Sequence, residues 1–129
     1  MRLLLDTHIM LWWSLGDERL SSAGHGLLSD EKNECFVSIA SLWEVAIKSS
    51  LGRGLPQGIT TAAYAELIDE AGFILKNVQK AHALSIEALG LIHGDPFDRL
   101  MVGQAKTEGF IFLTNDKMLA AYGDWVKLL

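Results

Sequence analysis

Four carboxylates occupy one kind of position in this chain: Asp6 and Asp116 each follow an apolar run, and Glu44 and Asp98 fall within the first turn or so of an expected helix. If strands and helices alternate around a parallel sheet, strand ends and the starts of the following helices share one edge, where open α/β sheets bind ligands. Acids far apart in sequence would then meet in a cluster. Hard divalent ions such as Mg²⁺ and Mn²⁺ take oxygen ligands, use one or two carboxylates each, and leave places for water and a substrate phosphate. A set without histidine or cysteine ligands points away from zinc. Each acid also has a purely structural explanation. Asp6 and Asp116 are good helix caps, Glu44 follows Ser41 at capping-box spacing, and Asp98 follows an expected cap, Asp95. An acid near a helix N-terminus stabilises any protein by roughly 0.3–1 kcal/mol. Capping is the better explanation for any one of them alone. Their number at one edge shifts the balance, because packing like charges together costs about as much as capping contributes unless a cation offsets it.

The elements that would position these acids can be read from apolar runs and their punctuation. Leu3-Leu4-Leu5 cannot alternate between core and solvent, so it predicts a strand buried on both faces at the centre of a parallel sheet. A helix over 8–15 follows, capped by Asp6 or Thr7 and closed at Gly16. Ser21 and Ser22 can open a short helix despite Gly24 and Gly26, and 35–38 predicts a second buried strand. The Ser41 and Glu44 spacing predicts a helix running to about Leu51, followed by a loop over 52–56. Thr60 and Thr61 open a helix closed near Gly72, with a third strand over 73–75 and a helix over 80–89. Asp95-Pro96 is an N-cap followed by proline at the first helical position, and the helix runs to about Glu108. A fourth strand over 110–113 leads to Thr114-Asn115-Asp116, a short helix over 118–122 and a last strand over 125–128. Strands alternating with helices predict a three-layer α/β/α fold with a parallel sheet.

With 129 residues the chain suits one domain with its own core, and no domain boundary, repeat or linker is visible across 1–129. Half of its residues are hydrophobic, but no apolar stretch is long enough to cross a bilayer. A soluble protein with no membrane association is expected, with apolar surface left for a partner. Met1-Arg2 runs straight into the first strand, so no secretory leader is expected. The single cysteine, Cys35, rules out an internal disulfide framework and suits the cytoplasm. A net charge of -5 argues against broad electrostatic binding to nucleic acid, which draws most of its affinity from Lys and Arg on phosphates. If phosphate is the substrate, something other than the chain's own net charge must supply positive charge.

Other residues have weaker claims. Trp12, Trp13 and Trp43 at helical spacing read as core, with one of them possible at a partner surface. His8 and His93 read as structural or supporting residues rather than metal ligands, and His25 and His82 give no usable signal. Lys48, one turn after Glu44, reads as its intrahelical ion-pair partner. Arg99 reads as structural, holding a neighbouring carboxylate, and Cys35 as an inert strand residue.

Four stretches together resemble the PIN-domain ribonucleases, and within them the VapC-like toxins of toxin–antitoxin pairs. They are Leu3-Leu4-Leu5-Asp6-Thr7-His8, the run from Ser41 to Lys48, His93-Gly94-Asp95-Pro96-Phe97-Asp98-Arg99-Leu100, and Thr114-Asn115-Asp116. They stand in family order across nearly the whole chain; each motif alone is weak, and the ordered set is specific. The resemblance implies a sheet of strand order 3-2-1-4-5 and RNA cleavage dependent on Mg²⁺ or Mn²⁺. It places Asp6, Glu44 and Asp98 on the core acidic positions, Asp116 on a less uniform fourth one, and Asp95 as a cap that could be water-linked to the metal. It also implies an antitoxin partner that lays an apolar segment in a groove, for which the Trp12-Trp13 helix and the Trp43 helix are the candidates; a homodimer is expected too, because aligned sites on two subunits would help a small acidic domain hold a folded RNA. Two other classes remain open. A haloacid-dehalogenase-like phosphatase would need a second acid two residues after Asp6, where this chain has His8. A non-catalytic interaction domain on the same fold would have no need of the four acids.

Overall fold

Leu3, Leu4 and Leu5 are all fully buried, as an uninterrupted apolar strand requires. They form β1 (Arg2–Leu5), at the centre of a five-stranded parallel sheet in the computed structural model, which describes residues 1–129. The other strands are β2 (Glu34–Ser38), β3 (Ile74–Lys76), β4 (Ile111–Thr114) and β5 (Val126–Leu128), in the spatial order β3-β2-β1-β4-β5. Leu4 sits level with Phe36 of β2 and Phe112 of β4. Alternate side chains leave opposite faces of a strand, and β1 divides its leucines accordingly. Leu3 and Leu5 join Ile9, Met10, Val45, Tyr64 and Ile68 on one face, and Leu4 joins Phe36, Met101, Val102, Ala105 and Phe112 on the other. The two cores make the three-layer α/β/α architecture.

Six helices cover the sheet: α1 (Thr7–Leu15), α2 (Ser22–Ser29), α3 (Ile39–Ser50), α4 (Thr61–Glu70), α5 (Lys80–Ala88) and α6 (Pro96–Glu108). Asp6 caps α1 through Thr7 N, and Gly16 closes that helix in the left-handed conformation its missing Cβ permits. The α2 helix forms despite Gly24 because that glycine is buried where Leu20 and Leu129 leave no comfortable room for a Cβ. Gly103 on α6 serves packing too, since a Cβ there would run into the Ser85 hydroxyl of α5.

Several expectations need correction. The α3 helix begins at Ile39, capped by Ser38 onto Ala40 N, so Ser41 caps nothing and Glu44 lies in the second turn. Both serines lie near the start of the same apolar run, and the one that ends the strand takes the cap. The expected short helix near the C-terminus is a 3₁₀ helix, Leu119–Tyr122, and another, Pro56–Gly58, starts at the end of the expected loop after α3. Trp12 is buried in the core, whereas half-buried Trp13 packs against Phe73 and His25 and lines a shallow cavity with Leu67 and Ala71 of the α4 end. Trp43 is half exposed and lies in one stripe with the exposed Ile47 and Leu51 along α3. Arg99 donates to the carbonyls of Ile86 and Gly90, tying α6 to the end of α5 and holding no carboxylate. His82, which gave no signal in the sequence, is fully buried; its Nδ1 accepts Gln79 N–H and its Nε2 meets Glu108 at 2.7 Å. Cys35 is buried on β2, and burial pushes its thiol up to about 11, which leaves it protonated and inert.

Candidate functional site

A cleft of about 260 Å³ opens at the carboxyl edge of the sheet, and Asp6, Glu44, Asp95, Asp98 and Asp116 all line it. Each acid is placed by its element. Asp6 directly follows β1 and Asp116 lies just beyond β4, while α3 brings Glu44 and the start of α6 brings Asp95 and Asp98. All four acids singled out in the sequence therefore share one cleft, and Asp95 joins them. Glu44, Asp95 and Asp98 offer oxygens within 4.8 Å of one another, and so do His93, Asp98 and Asp116 through their ligand atoms. Asp98 belongs to both groups; Asp6 belongs to neither.

Asp6 is buried at the floor, and protein donors already hold both of its oxygens. Thr7 N–H donates to Oδ1 at 2.8 Å, and the Thr114 hydroxyl donates to Oδ2 at 2.6 Å. Burial raises its pKa, and the two hydrogen bonds offset this only in part. Thr114 Oγ1 also accepts from Asp116 N at 3.1 Å, so a single threonine links the two strand-end acids.

Glu44 is oriented by a chain of hydroxyls whose direction it dictates. The Thr7 hydroxyl donates to Glu44 Oε1 at 2.8 Å. Each hydroxyl has one proton, so Thr7 must accept from Ser41 at 2.6 Å, and Ser41 in turn from Tyr64 at 2.8 Å. All four residues are buried. Lys48 Nζ donates to Glu44 Oε2 at 2.9 Å, the expected intrahelical pair. Partial burial works against the Lys48 charge, but Glu44, with Asp95 and Asp98 behind it, outweighs this and raises the pKa.

Asp95 caps α6, its Oδ1 accepting from Phe97 N and Asp98 N. Its own N–H donates to His93 Nδ1 at 3.0 Å, which fixes the tautomer: the ring proton of neutral His93 sits on Nε2 and is donated to Asp116 Oδ2 at 3.1 Å. A nitrogen carrying that proton cannot ligate a metal, so His93 orients Asp116 and the ligand set stays all-oxygen. This role follows from the position of the Asp95 amide and could not be read from sequence spacing; Tyr64 and Ser41 were missed for the same reason.

Asp98 is the exception within the cleft, because its carboxylate accepts no hydrogen bond; His93 Nε2 lies 3.9 Å away. Burial, followed by the charges of Asp6, Asp95, Glu44 and Asp116, pushes its pKa up to about 8. Among these acids its charge is the one that no donor answers. An all-oxygen set around an unanswered carboxylate fits a hard divalent cation, which would relieve the repulsion. Glu44, Asp95 and Asp98, whose oxygens converge, could hold such a cation, and Asp6 and Asp116 line the same cleft.

Comparison with known proteins agrees with this geometry. The family model described as "PIN domain" matches residues 3–124. A curated relative, Ribonuclease VapC22 of Mycobacterium tuberculosis, is 26% identical over 119 residues, covering 92% of this chain and 90% of its own. Among solved structures, VapBC2 of Rickettsia felis bound to a promoter DNA fragment aligns with a TM-score of 0.72 at 17% identity, covering 100% of this chain and 98% of that one. A toxin–antitoxin complex from Klebsiella pneumoniae aligns at 0.62 and 17% identity, covering 97% and 95%. FitAcB of Neisseria gonorrhoeae aligns at 0.58 and 17% identity, covering 93% and 91%.

Proposed function

Since the chain belongs to the PIN-domain family, we propose that it is a Mg²⁺- or Mn²⁺-dependent endoribonuclease and the toxin of a toxin–antitoxin pair. The observation that carries this reading is the Asp98 carboxylate, enclosed by four other acids with no donor of its own. The ribonuclease name of the Mycobacterium tuberculosis relative supports the activity. The toxin–antitoxin complex of similar fold from Klebsiella pneumoniae supports an antitoxin partner, and we expect the chain to pair as a homodimer as well. No helix is long and apolar enough to cross a membrane, and we place the protein in the cytoplasm, where RNA is its substrate. The exposed Trp43, Ile47 and Leu51 stripe on α3 is the surface we assign to the antitoxin.

A divalent cation in the cleft would supply the positive charge this acidic chain lacks, polarising the scissile phosphate and acidifying a water for in-line attack. The residues of the chain do the rest. Asp6, Glu44 and Asp98 would hold the cation, with Thr114 orienting Asp6 and Thr7 orienting Glu44. His93 holds Asp116 at the rim, where its carboxylate can orient the attacking water or serve a second ion. Asn115 lines the same cleft and can donate to a substrate phosphate.

The phosphatase alternative fails on the second acid it needs, since His8 stands there. The non-catalytic alternative leaves the convergence of the acids on Asp98 without a purpose. Sequencing the 5′ ends of cellular RNA after brief induction tests the proposal. New ends at defined sites are expected; an end profile unchanged from that of an Asp98→Asn control would overturn it.

Thr114→Val provides a further check, because valine keeps the shape but removes the donor to Asp6 and the acceptor for Asp116 N. Loss of a supporting hydrogen bond to a metal ligand typically costs 10–100-fold in metal affinity or activity. Calorimetric titration with Mn²⁺ is expected to show a loss of affinity in that range.

A further inference from the structure

The acidic cleft does not end at Glu44. A second cavity of about 180 Å³ shares His8, Glu44 and Lys48 with it and continues past them to Arg53, Leu55 and Pro56. The sign of the charge reverses across that shared wall. The second cavity is lined by the cations Lys48 and Arg53 and by one carboxylate, Glu44, which Thr7 and Lys48 already satisfy.

Arg53 is the unusual member. Of the four arginines in the chain, Arg2 lies over the Phe110 ring, Arg19 pairs with Asp17, and Arg99 donates to backbone carbonyls. The Arg53 guanidinium has no such partner, and the ion pairs of the structure all join other residues. It is nonetheless held in place through its backbone. After Leu51 the chain folds back through Gly52, at a positive φ of 74°, and Arg53 N–H donates to Lys48 O at 2.8 Å. Both cations therefore stand at the same end of α3, beside the acidic cleft. Half-buried Leu55 and exposed Pro56 give an apolar wall to the cavity that exposed Arg53 also lines. At about 180 Å³ the cavity falls below the roughly 300 Å³ of the smallest drug-sized pockets, so only a small group fits it.

Resting on the nuclease reading above, we propose that this cavity is the subsite for one nucleotide flanking the scissile phosphate, with its base against Leu55 and Pro56 and its phosphate on the Arg53 guanidinium. Such a subsite gives the RNA strand a fixed path across the cleft. It also puts positive charge where the strand needs it without weakening the hold of the acids on a cation. The competing explanation is that Lys48 and Arg53 only complement the C-terminal end of the α3 dipole. That role would affect the melting temperature but not RNA binding.

The test uses Arg53→Ala and Arg53→Lys in the full chain, with an oligonucleotide spanning a mapped cleavage site. Arg53→Ala is expected to raise KM about tenfold with kcat within twofold and the melting temperature unchanged, and Arg53→Lys to recover most of the loss. One lost phosphate contact should lower the slope of log affinity against log salt by about 0.7 on a single strand. A second arm needs neither cation nor cleavage: NMR titration of Asp98→Asn in EDTA with uridine and adenosine 5′-monophosphates. Saturable shifts at Arg53, Gly54 and Leu55 are expected, lost in the Arg53→Ala background, with inorganic phosphate shifting Arg53 but not Leu55. Nucleotide binding without RNA cleavage would leave the subsite standing while the nuclease reading fails. Cleavage with an unchanged KM in Arg53→Ala would overturn the subsite alone. An equal response to inorganic phosphate would reduce it to a plain anion site. Loss of antitoxin binding in Arg53→Ala with KM unchanged would make it a protein contact.

Discussion

Asp98→Asn is expected to melt higher than the parent chain in EDTA at pH 8, by several degrees, and to lose both its Mn²⁺-induced stabilisation and its RNA cleavage. The gain follows from charge. Two carboxylates near 4 Å repel by about 4 kcal/mol at an effective dielectric of 20. Proton uptake already relieves part of that, so a net gain on the order of 1–2 kcal/mol is expected, or roughly 4–8 °C for a domain of this size. The same proton gives the parent a characteristic pH dependence. The Asp98 carboxyl is raised from 3.8 to about 8 in the fold, so between those values the native state binds a proton that the unfolded chain has released. Stability of the metal-free parent therefore falls as pH rises through that window, and is highest at its acid end. Asp98→Asn should flatten the profile without abolishing it, since Asp6, also raised by burial, keeps the same sign. An acid acting only as a helix-terminus charge would behave oppositely, its removal costing up to roughly 1 kcal/mol with or without metal. Thermal melts of both proteins at several pH values, in EDTA and in Mn²⁺, separate the two.

Asp6→Asn should have the larger effect on chemistry and the smaller one on stability. Asparagine still accepts the Thr7 amide and preserves the cap, but it replaces the carboxylate with a neutral group whose NH₂ faces the Thr114 hydroxyl. If Asp6 holds the cation, the Lewis-acid contribution of several kcal/mol is lost or misplaced. At 1.36 kcal/mol per factor of ten, cleavage should fall by about a thousandfold or more. Stability should change by only about 1 kcal/mol, the usual scale of one hydrogen bond. Single-turnover cleavage alongside a denaturant melt checks both halves. A variant retaining a tenth of parental activity would remove Asp6 from the ligand set.

Much of this was legible because the relevant signals are local. Three consecutive leucines can only be a strand buried on both faces, and Asp95-Pro96 can hardly be anything but a helix start. The strand order came from the family resemblance and matches the sheet, and with it the edge on which the acids meet. What stayed hidden depends on atoms brought together by the fold. Ser38 and Ser41 are equally good caps on paper, and only the position of the end of β2 decides between them. Glu44 owes its orientation to a hydroxyl chain that starts on α4, at Tyr64. Asp95 read as a cap and is one, yet the turn it caps also brings its carboxylate into the cluster. His93 could be distinguished from a ligand only by the backbone amide that settles its tautomer. Trp12 and Trp13 were expected to line a partner groove because tryptophan near an N-terminal helix suits either a core or a surface; here the sheet covers the first of them.

The central claim is that the cleft around Asp98 is a cation-dependent RNA-cleaving centre with water as the nucleophile. The most direct measurement incubates purified chain, free of any antitoxin, with end-labelled RNA in Mn²⁺, in Mg²⁺ and in EDTA, and determines the product termini. The account predicts cleavage with either ion, none in EDTA or with Asp98→Asn, and products free of 2′,3′-cyclic phosphate, since water rather than the ribose hydroxyl attacks. Cleavage that persists in EDTA and ends in a cyclic phosphate, or an Asp98→Asn chain as active as the parent, would contradict it.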